Sequence, residues 1–367
     1  MEVVQVLHMN SGNGETSYAQ NSVLQQRVIL RSKPTIKEAI TNLYNNSFPK
    51  RLAIADFGCS SGPNTLFAVS EIIDVVEKIC ENVEHEPPEY NVFLNDLPSN
   101  DFNTVFKSLL PDFRRRMKEH TRGLCFISGT PGSFYGRLFP SNTLHFAYSS
   151  YSLHWLSQIP RGLESNKGNI YMSSTSPPCV LKAYYVQFQM DFSMFLKCRS
   201  KEMIAGGRMV LTFQGRRSKD PCSKEGCYMW DLLAIALNQF VREGMIDEEK
   251  FHSFNIPYYT PSPCEVKNEI EKEESFHVDT LELYEQDWNE SGGQFDPNST
   301  IEDEGSIFGK CARAIIEPYI RSHFDFQKAM IDKIFARYST ILKDCMAKER
   351  TWFVNIIVSM TKKGAFM

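Results

Sequence analysis

Leu52-Ala53-Ile54-Ala55-Asp56-Phe57-Gly58-Cys59-Ser60-Ser61-Gly62-Pro63-Asn64 is the stretch on which the fold turns. Its first six residues are an apolar run with one acid, ended by glycine, and such a run reads as a buried strand. Beyond the loop, Pro63 stands where a helix start tolerates it. Apolar residues at 66, 69, 72, 73, 76, 79 and 80 then keep the spacing of one helical face. The unit is strand, glycine turn, helix. Working outward, 90–95 reads as a strand, 101–118 as a helix, and 123–128 and 144–149 as strands. A helix over 180–204 follows, closed by Ala205-Gly206-Gly207, and then a strand over 208–213. This alternation predicts an α/β doubly wound sheet. Helical patterns at 227–244 and 310–335 fall outside it and predict a helical cap, while 299–305 reads as a mobile loop.

The composition sets bounds. At about 150 residues per domain, 367 residues imply one elaborated domain or two closely joined ones. Apolar residues at 42% and charged residues at 23% place the chain among ordinary globular proteins. Forty Lys and Arg against 44 Asp and Glu leave a net charge of -4, so no basic field exists to hold a nucleic acid. Ten cysteines lie scattered, with no CxxC pair, which predicts reduced thiols in the cytoplasm rather than a disulfide framework or a zinc site. The first ten residues lack the basic lead and apolar core of a signal peptide. The most apolar run, 352–360, is about half the ~20 residues a bilayer requires, so no membrane partner is expected.

Ligands of open α/β sheets bind outside the carboxyl ends of the strands, which singles out the loop after Phe57. A nicotinamide-binding turn would carry GxGxxG. Here the pattern is DxGxxxG, and a second acid, Asp96, ends the next strand. An acid there can accept both ribose hydroxyls of an adenosine, and without a pyrophosphate to cradle the middle glycine is dispensable, so S-adenosylmethionine suits the loop better than NAD. Gly206-Gly207-Arg208, opening a late strand, recurs in class I methyltransferases. Each feature alone reads equally as local structure, the first as a strand-to-helix turn and the second as a helix C-cap.

Several further segments occur in order: Ser17-Tyr18-Ala19-Gln20-Asn21-Ser22, the loop at 56–64, Leu94-Asn95-Asp96-Leu97-Pro98, 131–140 beginning Pro131-Gly132-Ser133-Phe134-Tyr135, and Ser149-Ser150-Tyr151-Ser152-Leu153-His154-Trp155-Leu156. Together they resemble the plant SABATH family, which comprises salicylate, benzoate and jasmonate carboxyl methyltransferases and related xanthine N-methyltransferases. The resemblance covers essentially the whole chain. It implies a class I methyltransferase Rossmann-like sheet with a helical cap over the active site. The implied organisation is an N-terminal segment (1–50) closing over cofactor and substrate, a core of 51–215, a mainly helical cap of 216–345 returning to the sheet near 275–284, and a C-terminal core strand within 346–367.

It also implies that Tyr18, Ser22, Asp56, Gly58, Cys59, Asn64, Asp96, Leu97, Ser133 and Phe134 contact S-adenosylmethionine. Gln25 and Trp155 would donate to the substrate carboxylate, and Tyr151, His154, Met229, Trp230, Ala312 and Phe353 would wall the acceptor pocket. A neutral amide and an indole N–H can fix an anion without a cation that would blunt its nucleophilicity. A carboxylic acid with a pKa near ~4 is already ionised at neutral pH, so no general base is expected. Salicylate-preferring members tend to carry methionines where this chain has His154 and Ala312. Some members hold a divalent ion near residues matching Asn166, Phe254 and Asn255, but His252 replaces the family's aspartate, which argues against magnesium. The expected activity is methyl esterification of benzoate, salicylate or both, by a cytoplasmic homodimer. The alternatives are a jasmonate or anthranilate carboxyl methyltransferase, a xanthine N-methyltransferase, or a degenerate, non-catalytic module that binds small acids.

Overall fold

A computed structural model describes residues 2–288 and 301–364. Leu52 and Ile54 of strand β1 (Arg51–Phe57) enter one apolar cluster, while Ala53, Ala55 and Phe57 enter another on the opposite face. Strand residues alternate between faces, so a continuous apolar run means a sheet covered on both sides. Helix α3 (Asn64–Asn82) follows β1, and α2 (Val23–Ser47) packs beside it. Helix α5 (Pro178–Glu202) brings Phe188, Phe192 and Phe195 to the other face. Short α1 (Val3–Val6) opens the chain.

Among the described residues the sheet has seven strands in the order β3-β2-β1-β4-β5-β7-β6. Strands β2 (Glu89–Asp96), β3 (Cys125–Pro131), β4 (Leu144–Ser150) and β5 (Met203–Gly215) run parallel to β1. Strand β7 (Trp352–Lys362) inserts antiparallel between β5 and β6 (Phe276–Asp287). Its apolar run is thus an interior strand. The strand order reverses between β1 and β4, and the doubly wound α/β expectation holds. At such a switch point the loops leaving the two strands part and open a crevice. Helices α6 (Lys224–Arg242), α7 (Glu248–Ser253), α8 (Pro263–Glu273), α9 (Ile301–Phe324) and α10 (Lys328–Lys348) complete the chain. Among the described residues no helix is long and apolar enough to cross a membrane.

Four local expectations change. The helix read to residue 204 ends at Glu202, because Met203 already pairs with Leu144, and the ladder resumes at Arg208 with Phe146. Residues 204–207 bulge out between them. Gly206 takes φ 76°, so the glycine pair serves this bulge rather than a helix stop. The helix read over 310–335 is two helices, since Asp325 adopts φ 58° and turns the chain back between α9 and α10. The helix read from 101 opens with a π-helical turn at Thr104–Leu109 before α4 (Leu110–His120). Of the loop read at 299–305, residues 299–300 lie outside the described residues and Ile301 to Gly305 already belong to α9.

Candidate active site

The turn after β1 is built by hydrogen bonds to β2. Gly58 (φ 81°) and Cys59 both donate their amides to the Asn95 carbonyl, at 2.8 and 2.9 Å. Asn95 in turn donates its side-chain amide to the carbonyls of Thr130 (2.7 Å) and Gly132 (2.9 Å), drawing in the loop that carries Ser133 and Phe134. Asp96 accepts the Ser60 amide at 2.7 Å on one oxygen and the Leu97 amide at 2.7 Å on the other. Asp56 accepts from the Thr65 hydroxyl at 2.6 Å. Burial pushes the Asp96 carboxyl up to about 6 and that of Asp56 up to about 7.

A cavity with an empty volume of about 1120 Å³ opens at the switch point. Tyr18, Gly58, Asp96, Leu97, Ser133 and Phe134 line one part of it, and Gln25 and Trp155 reach the same space. Asp56, Cys59 and Asn64 face an adjoining recess that shares Tyr18, Gln25, Gly58 and Ser150 with the cavity. Ser22 lines neither space, and its backbone carbonyl accepts from the Asn64 side chain at 2.9 Å.

The other half of the cavity is aromatic. Tyr151, His154, Met229, Trp230, Ala312 and Phe353 all line the cavity. Tyr151 sits at φ 61°, strained for a bulky residue, held by its amide on the Thr212 carbonyl (2.7 Å) and its hydroxyl on Asn355 (2.5 Å). The Trp155 ring packs edge-on to Tyr258 at 5.1 Å. His154 accepts the Gln214 amide on Nδ1 at 3.2 Å, which leaves its ring proton on Nε2. Burial holds this imidazole down at about 3, so it is neutral. Sequence reasoning missed Asn95, Gln214 and Tyr135, whose hydroxyl donates to the Trp155 carbonyl at 2.6 Å. Of these, Asn95 and Tyr135 lie inside quoted motifs, while Gln214 carries no local signal.

The donor half fits S-adenosylmethionine. Gln25 Oε1 and the Ser60 hydroxyl, both on the cavity wall, are buried with no hydrogen-bond partner, and the two buried acids favour a cationic ligand. Asn166, Phe254 and Asn255 stand together away from the cavity and do not fit magnesium. The Asn166 amide donates to Asn255 Oδ1 at 2.9 Å, Asn166 Oδ1 accepts from Ser176 at 2.7 Å, and Tyr319 donates to the Asn255 carbonyl at 3.0 Å. Among the described residues no group of three or more His, Cys, Asp or Glu is placed to hold a metal ion.

The family model described as SAM dependent carboxyl methyltransferase matches residues 4–363. The chain is 54% identical over 365 residues to benzoic acid/salicylic acid carboxyl methyltransferase 3 of Petunia hybrida, covering 99% of both chains. It is 54% identical over 366 residues to the salicylate carboxymethyltransferase of Clarkia breweri, covering 99% of this chain and all of the other. Among solved structures, loganic acid methyltransferase with SAH superposes with a TM-score of 0.83 at 34% identity, over 97% of this chain and 99% of that one.

Proposed function

The chain belongs to the family of SAM-dependent carboxyl methyltransferases, and from that premise we propose that its cavity makes methyl esters of small aromatic acids, benzoate and salicylate first. Bound in the donor half, S-adenosylmethionine supplies an electrophilic methyl group. The chain's own residues then have three tasks. Asp96 accepts from the ribose, Phe134 packs on the adenine, and Asp56 and Asn64 hold the amino-acid end through the recess. Gln25 and Trp155 orient the carboxylate by donating to it. The rings of Tyr151, Trp230 and Phe353 exclude water and keep the acceptor flat, so rate comes from alignment in a dry pocket.

The observation that carries this reading is that Gln25 and Trp155 meet Asp96, Ser133 and Phe134 in one cavity, in which His154 is neutral and already engaged by the Gln214 backbone amide. An acceptor that arrives ionised needs no base. The test is a panel of acids with radiolabelled methyl donor: benzoate and salicylate should be esterified ahead of anthranilate, jasmonate and a xanthine. A xanthine as best acceptor would overturn the proposal. Ala312 leaves room beside the ring, so a bulkier acid such as jasmonate is the second reading. Family resemblance also leads us to propose a cytoplasmic homodimer; light scattering on the purified protein would test the dimer, and cell fractionation its location.

Two further results are expected. Trp155→Phe keeps the aromatic wall but deletes one N–H donor to an anion, a loss of about 1.5 kcal/mol or roughly tenfold in kcat/KM for benzoate. The KM for the methyl donor should stay put, and a change there alone would assign Trp155 to the donor half. In pH dependence, Asp56 and Asp96 have raised values and must ionise to favour a sulfonium cation. Donor kcat/KM, which reports the free enzyme, should therefore fall as pH drops through about 7 to 6. At saturation kcat should show no limb from His154, because its ring stays neutral above about 3. A neutral limb in kcat that vanishes in His154→Gln would contradict this.

A further inference from the structure

Helix α5 carries charged groups that no chemical step uses, yet they are fully desolvated. Arg199 is wholly buried and spends its guanidinium on three partners: Glu202 at 2.8 Å, the Phe134 carbonyl at 2.9 Å and the Gly136 carbonyl at 2.9 Å. Its plane also lies over the Phe57 ring, 4.3 Å from the centroid. Glu202, equally buried, accepts the backbone amides of Leu138 (2.6 Å) and Phe139 (3.1 Å). The pair therefore grips both sides of the loop that presents Ser133 and Phe134.

Eight residues earlier, about 12 Å along the helix axis, Asp191 grips the other loop. It accepts the Ser157 amide at 2.8 Å and the Ser157 hydroxyl at 2.6 Å, with Gln187 steadying it at 3.0 Å. That loop carries Tyr151, His154 and Trp155. A buried ion pair earns little net stability against an apolar pair of the same volume, so its retention is better explained by the geometry it imposes.

We propose that α5 is a bracket setting the distance between methyl donor and acceptor, with Arg199 and Glu202 as positioning residues for the cofactor loop and Asp191 as the positioning residue for the acceptor loop. The inference rests on the carboxyl methyltransferase reading above. Because each grip holds a different loop, the two should separate in binding constants, which a general loss of stability would not produce.

The experiment compares wild type, Arg199→Met/Glu202→Leu and Asp191→Asn. Calorimetry gives the S-adenosylhomocysteine Kd without acceptor, and steady-state kinetics at saturating donor give the benzoate KM. The double variant should raise the S-adenosylhomocysteine Kd about tenfold and leave the benzoate KM within twofold. Asp191→Asn should do the reverse, raising the benzoate KM about fivefold. If the double variant does not fold, Arg199→Lys replaces it: a lysine keeps the charge beside Glu202 but cannot reach both carbonyls, and the same split should appear at smaller size. Equal changes in both constants, or a lower melting temperature with neither constant changed, would overturn the bracket. Wild-type turnover of benzoate and salicylate is measured first. Its absence would overturn the functional reading instead, and the S-adenosylhomocysteine arm would still decide the grip of Arg199 and Glu202.

Discussion

Gly58→Ala is expected to lower kcat/KM by about a hundredfold for donor and acceptor alike. At φ 81° an L-residue is strained by about 1–2 kcal/mol. The added Cβ would also lie 2.0 Å from the Ser152 hydroxyl and 2.3 Å from its Cβ, an overlap that rotating the serine cannot relieve. Either the turn or the 151–155 loop must therefore shift. The Ser152 carbonyl accepts the Trp155 amide at 3.0 Å, so the shift passes to Trp155, the residue proposed to orient the carboxylate. A misplacement of about 1 Å at reacting groups costs about a hundredfold. Gly244→Ala is the control: it carries a similar φ of 70° with nothing beyond its own chain neighbours within 4 Å of its added Cβ, and should keep full activity. Gly58→Ala activity within threefold of wild type would show that the turn relaxes without moving Trp155.

Asp96→Ala should weaken S-adenosylhomocysteine about a hundredfold while the benzoate KM at saturating donor stays near wild type. An acid bonded to two ribose hydroxyls makes charge-assisted bonds of about 1.5 kcal/mol or more each, and about 3 kcal/mol together is roughly two decades in Kd. The same carboxylate also ties the amides of Ser60 and Leu97, so the alanine loosens the turn it sits beside. Calorimetry on the variant measures the loss directly. Unchanged affinity would remove Asp96 from the ribose and leave it a purely structural tie between the two loops.

What the sequence determined by itself lies in short-range chemistry. The β1 run, the glycine at φ 81° and the apolar spacing of α3 are each specified within a few residues, because steric limits and hydrogen bonds of that range are local. The motifs around 18, 56, 96, 134 and 155 were legible for the same reason, and every residue they offered for the cofactor except Ser22 lines the cavity or its recess. Tertiary structure decided the rest. Met203 has helical neighbours before it, but its pairing with Leu144 ends α5. Nothing in local spacing distinguishes Arg199 and Glu202 from a surface pair at i, i+3, and their partners at 134–139 are more than sixty residues away. The raised carboxyls of Asp56 and Asp96 and the neutral ring of His154 follow from desolvation, which exists only once the loops and helices close over them. Residue types and their order are local properties, whereas charge state and long-range grip depend on what the whole fold stacks around each group.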